Sequence, residues 1–440
     1  MTDLYRDPEL DQLVDHLNRA RRERPAGDDA GGPGFEPVAS DDDETEVGPY
    51  DPPAPPATPA PSAPLRSSPV EPSPAGAVDE VAVLRPGSPL ADALERLATS
   101  GASDLLLVAG APPALRLDGR LERTGAEPLA REAVEELFAP LLDARRRALL
   151  ATAGAVDFSL RLPGGGGRFR VNLHRQRGDL AAAIRALPSR VPTLAELNLP
   201  ASLAELVAPR RGLVLFCGPT GAGKSTTLAA LLGEINRSRP CHVVTIEDPI
   251  EYEHRHRAAL VEQIEVGVDA PSFAAALKAA LRQDPDVILL GEMRDLETIA
   301  TALTAAETGH LILSTLHTHD AAQAIHRMVD VFPAGQQEQV RQQLALALHA
   351  IVCQQLVPRR DGRGRIPALE ILLATPAVRH LVRQQQVQKL QHEITLGKRL
   401  GMVSLEASLA RLVREGRIDL EEARLRVARP EELASLLAAE

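Results

Sequence analysis

A glycine-rich stretch that ends in lysine, serine and threonine is the part of the sequence best suited to chemistry. It lies between the apolar run 212–217 and the apolar residues 228–232, so we expect a strand, a tight turn and a helix. In that context glycines let backbone N–H groups turn towards phosphate oxygens, as in a P-loop. The residues expected to surround the phosphates are Gly218, Pro219, Thr220, Gly221, Ala222, Gly223, Lys224, Ser225, Thr226 and Thr227. The stretch therefore predicts binding of a nucleoside triphosphate.

Two side chains of this stretch have distinct predicted roles. Lys224 is expected to reach the β- and γ-phosphates, and the Ser225 hydroxyl is expected to hold Mg²⁺. The N-terminus of the following helix adds partial positive charge at the same place. A chance glycine-rich turn is the alternative, and the complete motif with both flanking elements argues against it.

Three carboxylates follow the next apolar run. Glu247, Asp248 and Glu251 come after residues 242–246, which we place as a strand beside the P-loop strand. Ligands of open α/β sheets bind at the carboxyl ends of strands. A carboxylate there can deprotonate an attacking water or bind Mg²⁺ through water. One such acid alone would be explained as a solvated loop residue, whereas three together favour a catalytic site.

A further acid follows the apolar run 287–290. Gly291 and Glu292 come next, in the pattern of a Walker B strand, with glycine where aspartate often stands. Glu292 is therefore the candidate for water-mediated Mg²⁺ binding. Arg294 and Asp295 are alternatives as pairing residues.

Histidines flank the predicted strand 311–314. His310 precedes it, and His317 and His319 follow it. A zinc site would need a third ligand, and no His or Cys spacing supplies one. We predict instead that His310 and His317 lie near the γ-phosphate and hydrogen-bond to it or to a catalytic carboxylate. A structural role is the alternative, and it is strongest for His319.

The composition divides the chain into four parts. Residues 1–24 form a predicted amphipathic helix, and residues 25–87 form a proline-rich, acidic linker expected to be disordered. Residues 88–200 predict a mixed α+β domain. Residues 201–440 alternate apolar strands with helices, which indicates an α/β core with a mostly parallel sheet. Beyond residue 336 the pattern is largely helical, and the predicted helices are 338–352, 376–385, 405–414 and 420–427.

Charge and cysteine content restrict the partners. The 440 residues carry a net charge of −11 with only 2% aromatic residues, which argues against general nucleic-acid binding. Three separated cysteines suggest reduced core residues and no metal site. We see neither a signal peptide nor an apolar run of about 20 residues, so we expect a cytoplasmic protein whose contact with a membrane is peripheral.

These motifs, in this order, resemble the secretion-type motor ATPases, most closely the type IV pilus retraction ATPases. Residues 218–227 are similar to their Walker A motif, and 286–292 to their Walker B motif. The family's Asp box and His box match residues 245–251 and 309–317. Residues 376–382 resemble a C-terminal helix motif associated with retraction. Residues 1–87 lie outside the usual family pattern.

The resemblance implies a fold and a mechanism. A RecA-like ATPase core with C-terminal helices would follow a PAS-like domain, and the protein would bind ATP and Mg²⁺ as a hexameric ring. Glu251 would be the catalytic glutamate and Glu292 the Walker B glutamate, with His310 and His317 in the His box. Arg177 and Arg185 would act on a neighbouring subunit's nucleotide, although Arg175 or a solvated basic face are alternatives. An inner-membrane platform protein of the pilus machine would be the partner.

Several functions remain open within this resemblance. Powering pilus retraction, and so twitching motility, is the leading prediction. Pilus-extension and type II secretion ATPases usually carry a cysteine-rich zinc loop, and Cys353 stands alone in the corresponding region. A DNA-translocating motor would share the P-loop but fits poorly with the net acidity. An accessory ring subunit that binds ATP and modulates a related motor is a non-enzymatic alternative.

Overall fold

The computed structural model describes residues 82–84, 87–117, 119–124, 127–162 and 166–438. The expected N-terminal helix and nearly all of the expected linker lie outside these residues. So do Asp118 of one predicted turn and Gly164 and Gly165 of another. Among the described residues, no helix has the length and apolar character needed to cross a membrane.

The first half of the described chain forms a seven-stranded, mainly antiparallel sheet with three helices. The spatial order of its strands is β1-β5-β6-β7-β2-β3-β4. The strands are β1 (Ala82–Val83), β2 (Asp104–Val108), β3 (Ala114–Leu117), β4 (Arg120–Arg123), β5 (Ala155–Arg161), β6 (Arg168–Gln176) and β7 (Asp179–Leu187). The helices are α1 (Pro89–Ser100), α2 (Arg131–Phe138) and α3 (Ala144–Thr152).

This first sheet is built on alternation. In β6 the inward residues Phe169, Val171 and Leu173 are fully buried, while the residues between them are partly exposed. Alternation of this kind is expected where one face of a sheet covers a core and the other stays polar. The polar positions of β6 include the arginines at 168 and 170. The sheet therefore has a charged face free to meet another element.

The second half forms another seven-stranded sheet, in which all neighbouring strands are parallel except β13 and β14. Its spatial order is β10-β9-β11-β12-β8-β13-β14. The strands are β8 (Gly212–Cys217), β9 (His242–Glu247), β10 (Leu260–Glu265), β11 (Val287–Leu290), β12 (Leu311–Leu316), β13 (Leu348–Pro358) and β14 (Arg365–Leu373). Strand β9 was expected beside β8, but β11 and β12 separate them.

Helices cover both faces of this core sheet, and strands β8 and β11 are accordingly apolar throughout. The helices between strands are α4 (Lys224–Ser238), α5 (Phe273–Ala280), α6 (Leu296–Glu307), α7 (Ala321–Asp330) and α8 (Gln337–Ala347). Side chains of Ser272, Asp295 and Asp320 cap the N-termini of α5, α6 and α7. Such caps satisfy backbone N–H groups that the helix cannot pair itself.

The end of the chain is helical, with one correction. A helix was expected over 338–352, but α8 ends at Ala347 and β13 starts at the next residue. A short, continuous apolar run fits either a buried helix or a buried strand, and pairing with β8 decides for the strand. The remaining helices are α9 (Pro376–Arg383), α10 (Leu390–Leu396), α11 (Leu405–Arg414), α12 (Leu420–Arg424) and α13 (Pro430–Ala438). The α/β core with a helical C-terminal region is as expected.

Candidate active site

The glycine-rich stretch forms a tight loop between β8 and α4 that tolerates few side chains. Gly218, Gly221 and Gly223 have positive φ angles of 146°, 78° and 84°. A Cβ atom on Gly218 would lie 2.3 Å from the carbonyl oxygen of Gln354 in β13. Glycine is therefore required at position 218 by space as well as by backbone conformation.

Lys224 is held at the centre of this loop. Its Nζ donates hydrogen bonds to the carbonyl oxygens of Gly218 (2.8 Å) and Pro219 (3.1 Å). Burial lowers the pKa of Lys224, while the nearby Glu292 and Glu251 carboxylates act in the opposite direction. Because the hydrogen-bond partners of this buried ammonium group are neutral carbonyls in the described part of the chain, the group is well placed to bind an anion.

A cavity of about 590 Å³ opens above the loop. The loop residues 220–226 form its floor. Side chains from elsewhere that line it include Arg185, Glu247, Glu251, Glu292, His317 and Arg365. The structure thus brings Lys224, Ser225 and the main predicted acids to one cavity at the carboxyl edge of the core sheet, where α/β proteins bind ligands.

Two glutamates after β9 have different surroundings. Glu247 is half-buried, and its Oε1 accepts hydrogen bonds from Thr245 Oγ1 (2.8 Å) and Gln263 Nε2 (3.2 Å). Burial raises its pKa, although these two hydrogen bonds oppose that effect. Glu251 lines the cavity without such ties among the described residues. Glu251 is therefore better placed than Glu247 to accept a proton, because fewer hydrogen bonds restrain its carboxylate. The Tyr252 hydroxyl next to it donates to Thr226 Oγ1 (3.1 Å).

Glu292 lies between a histidine and an arginine. Its Oε2 is 3.6 Å from His317 Nε2, and its Oε1 is 2.7 Å from Arg294 Nε. Burial lowers the pKa of His317, and the charge of Lys224 lowers it further against the opposing charge of Glu292. His317 is therefore neutral near pH 7 and can accept or donate one hydrogen bond beside the carboxylate.

The residues at this cavity fit a magnesium ion. Mg²⁺ prefers oxygen ligands and usually keeps several waters, so it needs only one or two protein groups beside the substrate phosphates. The Ser225 hydroxyl and the Glu292 carboxylate both line the cavity and supply oxygen atoms of this kind. Among the described residues, no cluster of three or more His, Cys, Asp or Glu side chains could hold a metal by itself.

His310 lies at the other edge of the sheet, which corrects the prediction that it contacts nucleotide. It precedes β12, whereas His317 follows it, and a strand of six residues spans roughly 20 Å. His310 Nδ1 is 3.0 Å from the carbonyl oxygen of Ala305, at the end of α6. The two histidines of the motif therefore serve opposite edges.

The two arginines that were predicted to act on nucleotide, Arg177 and Arg185, lie in different places. Arg185 of β7 lines the cavity of its own chain and donates from Nε to Asp104 Oδ1 (2.8 Å). It was expected to act on a neighbouring subunit's nucleotide, and that role stays a prediction. Arg177 is exposed in the turn between β6 and β7 and does not line the described cavity. Its action on a neighbour stays a prediction.

Gln354 was missed by the sequence reasoning. It is buried in β13, where its Oε1 accepts from Thr227 Oγ1 (2.9 Å) and its Nε2 donates to the carbonyl oxygen of Ala222 (2.7 Å). Thr227 thus faces β13 instead of the cavity. The predicted helix ended at residue 352, so no element was expected at Gln354, and the strand that carries it was not foreseen. Arg365 in β14 was missed because β14 itself was not foreseen.

Known proteins resemble the chain over most of its length. The family model described as type II/IV secretion system protein matches residues 158–425. The type IV pilus retraction ATPase PilT of Pseudomonas aeruginosa is 46% identical over 334 residues, which cover 76% of this chain and 96% of that protein. A twitching motility protein of Neisseria gonorrhoeae is 44% identical, covering 74% of this chain and 87% of its own.

Solved structures of related ATPases are similar to this chain as well. A crystal structure of the pilus retraction motor PilT with bound ADP superposes with a TM-score of 0.72 at 43% identity, covering 79% of this chain and 99% of that one. The Legionella pneumophila ATPase DotB gives a TM-score of 0.65 at 29% identity, covering 76% and 94%. Because the model match covers more than half of the chain and the relatives align along nearly their whole length, the chain belongs to the type II/IV secretion system protein family of ATPases.

Proposed function

We propose that this protein is an ATP-hydrolysing motor that powers retraction of type IV pili, and so twitching motility. One observation carries the proposal: the P-loop, Glu251 and Glu292 meet at one cavity in a chain that is 46% identical to a pilus retraction ATPase along 96% of that protein. The bound ADP named for the related PilT structure supports nucleotide binding at this place.

The cavity residues divide the work of phosphoryl transfer. The loop backbone and Lys224 bind the phosphates, and Lys224 exchanges the carbonyls of Gly218 and Pro219 for phosphate oxygens. Glu251 orients water and accepts its proton as general base. Arg185 reaches the cavity from the first sheet and stabilises charge on the transferring group. Mg²⁺, when held by Ser225 and Glu292, would neutralise phosphate charge.

His317 and Glu292 form a second pair at the γ-phosphate side. With its pKa lowered, His317 is neutral and donates one hydrogen bond, which Glu292 or a phosphate oxygen can accept. A switch of this bond between the two acceptors would report whether the γ-phosphate is present.

The assembly and its location are part of the proposal. A homohexameric ring would place Arg177 near a neighbouring subunit, and the motor would work at the cytoplasmic face of the inner membrane through a platform protein of the pilus machine. The first sheet contacts the core through Arg161 and Arg168, so movement of one can change the other. Size measurement of the purified protein with and without ATP tests the ring.

Steady-state ATPase assays test the enzymatic step. We expect Glu251→Gln to lower kcat by about 10²- to 10⁴-fold, the range of general acid–base catalysis. Glu262→Gln is the matched control, because Glu262 is an exposed residue of β10 that pairs with His242 and does not line the nucleotide cavity. If the purified wild-type protein binds ATP but does not hydrolyse it, the accessory-subunit function replaces the proposal.

Deletion of the gene in a piliated strain tests the direction of work. We expect cells that keep or accumulate pili but lose twitching, with rescue by wild-type protein and not by Glu251→Gln. Cells without pili would contradict retraction and favour a pilus-extension or secretion ATPase.

A further inference from the structure

The loop that carries Glu251 is held by hydrogen bonds to both backbone groups of one residue, Ile250. The N–H of Ile250 donates to Glu265 Oε2 (3.0 Å), and the carbonyl oxygen of Ile250 accepts from Arg168 Nη2 (2.7 Å). Ile250 directly precedes Glu251. Its two hydrogen bonds therefore fix the direction in which the chain enters the cavity.

The two anchors come from different parts of the molecule. Glu265 ends β10 of the core sheet, whereas Arg168 starts β6 of the first sheet. The Arg168 side chain is only 11% exposed, and its Nη1 is 3.4 Å from Glu253 Oε1. Arg161 of β5 pairs with the same Glu253 carboxylate. Residues on both sides of Glu251 are thus held by the first sheet.

The two side chains that hold Ile250, Arg168 and Glu265, carry opposite charges that stabilise each other. Burial raises the pKa of Glu265, and the positive charge of Arg168 lowers it. Arg168 therefore helps to keep Glu265 ionised, which is the form that accepts the stronger hydrogen bond from Ile250. Loss of Arg168 would weaken both anchors together.

We propose that Arg168 is a positioning residue for Glu251, through which the placement of the first sheet against the core sets the geometry of the catalytic glutamate. This inference rests on the proposed function, in which Glu251 activates water. Among the described residues that line the nucleotide cavity, Arg168 is not included. It therefore acts through the Ile250 peptide and not by touching phosphate.

The expected effect is on turnover and not on nucleotide binding. A misplacement of about 1 Å at a reacting group can cost about 10²-fold in rate. Among the described residues, Arg168 makes no hydrogen bond or ion pair with the P-loop or with Lys224, so ADP should bind as before. A first sheet that moves away would release the loop, and hydrolysis would then slow until the sheet returns.

The test compares two arginines of the same strand in the full-length protein. Arg168→Ala should lower kcat by about 10- to 100-fold, with KM for ATP and ADP affinity within about twofold of wild type. Arg170→Ala is the matched control, because Arg170 pairs with Asp157 inside the first sheet and should leave kcat unchanged. Arg168→Lys keeps one donor and should restore part of the lost kcat. An Arg168→Ala protein with wild-type kcat, or with ADP affinity lost in proportion to kcat, overturns the inference.

A double variant separates this role from direct contact with phosphate. In the Glu251→Gln background, Arg168→Ala should cause no further loss of kcat, since the residue it positions is already inactive. A further loss of about tenfold or more would show an independent role and overturn the inference. Thermal melting shows whether the Arg168→Ala protein is folded. If it is not, Glu265→Gln tests the other anchor of Ile250, and we expect it to lower kcat several-fold.

Failure of the proposed function is distinguishable. If Glu251→Gln leaves kcat unchanged, Glu251 is not the base, and the proposed mechanism and this inference both fail. If Glu251→Gln abolishes turnover while Arg168→Ala and Glu265→Gln do not reduce it, only the inference fails.

Discussion

The two edges of the core sheet carry similar residues and do different things with them. At the carboxyl edge, Lys224, Glu251 and His317 face a cavity. At the amino edge, His310 and Arg379 contact backbone carbonyls: His310 contacts Ala305 O, and Arg379 donates to the carbonyl oxygens of Ala374 (2.9 Å), Leu346 (2.6 Å) and Ala345. The groups at the carboxyl edge line a cavity that can take a ligand, although Lys224 also donates to two carbonyls of its own loop. At the amino edge, His310 and Arg379 instead contact carbonyls near the C-termini of helices.

This difference teaches that residue type alone does not assign a role. His310 and His317 belong to one nine-residue segment and are chemically identical, yet β12 places them at opposite edges. Parallel strands point all their carboxyl ends one way, so the loops that follow them converge. The loops that precede them lack that convergence and connect to helix C-termini, whose free carbonyls need donors.

The largest effect should come from the centre of the carboxyl edge. We expect Lys224→Ala to reduce kcat/KM by about 10²- to 10³-fold, the cost of removing a preorganised charge-stabilising group. Lys278→Ala is the control, because Lys278 is an exposed lysine of α5 that pairs with Glu297. ATPase assays on both variants measure the difference in kcat/KM. Equal values for the two variants would show that Lys224 of the P-loop takes no part in hydrolysis.

The two histidines test the comparison directly. His317→Ala should lower kcat about tenfold, since it removes the partner of Glu292 beside the phosphate. His310→Ala should leave kcat within about twofold and reduce the free energy of unfolding by about 1 kcal/mol, the worth of one hydrogen bond. Turnover and denaturant unfolding, measured on both variants, separate the edges. Equal losses of turnover would mean that the edges do not differ as described.

Gln354 provides a smaller effect behind the loop. Gln354→Met keeps the shape of the side chain but removes its bonds to Thr227 and Ala222. Two hydrogen bonds of about 0.5–1.5 kcal/mol each restrain the loop, so we expect ADP affinity to fall roughly tenfold. Thr227→Val removes one of the two and should cost less. Unchanged affinity in Gln354→Met by fluorescence titration would show that the loop holds its shape alone.

The last prediction concerns the pH dependence of stability, whose direction should be the same at both edges. Burial lowers the pKa of His254, on the cavity side, to about 4 from an ordinary 6.5, and burial lowers that of His349 near the amino edge as well. Between pH 6.5 and 4 the unfolded chain binds more protons, so stability decreases as pH falls through that window. His254→Asn should flatten this dependence in denaturant unfolding. A pH profile identical to wild type would show that His254 titrates normally.

Local features of the fold could be predicted from the sequence, because neighbouring residues decide them. Strand β11 spans the predicted 287–290, and α4 starts within the predicted P-loop. The glycine pattern and the apolar runs are complete within a few residues. The cavity lining was predicted in part for the same reason: Glu247 ends β9, Glu251 follows it, and Glu292 follows β11.

Features that depend on distant partners could not be read in the same way. Strand β13 is strand because β8 lies beside it, and Gln354 matters because β13 brings it under the loop. Strand order also placed β9 away from β8, where adjacency along the sequence had suggested a neighbour. The contact of Arg168 with Ile250 joins residues 82 positions apart. Only the folded chain shows such pairs.

The close approach at Gly218 has a mechanical consequence. Its Cα meets the Gln354 carbonyl with no room for a methyl group, so loop and strand touch backbone to backbone. Side chains can rotate to absorb a displacement, but two peptide planes in contact cannot. Strand β13 continues into β14, where Leu369 N donates to Ser408 Oγ of α11. Backbone contacts thus join the phosphate-binding loop to α11 through β13 and β14, so a displacement of the loop would be transmitted to α11.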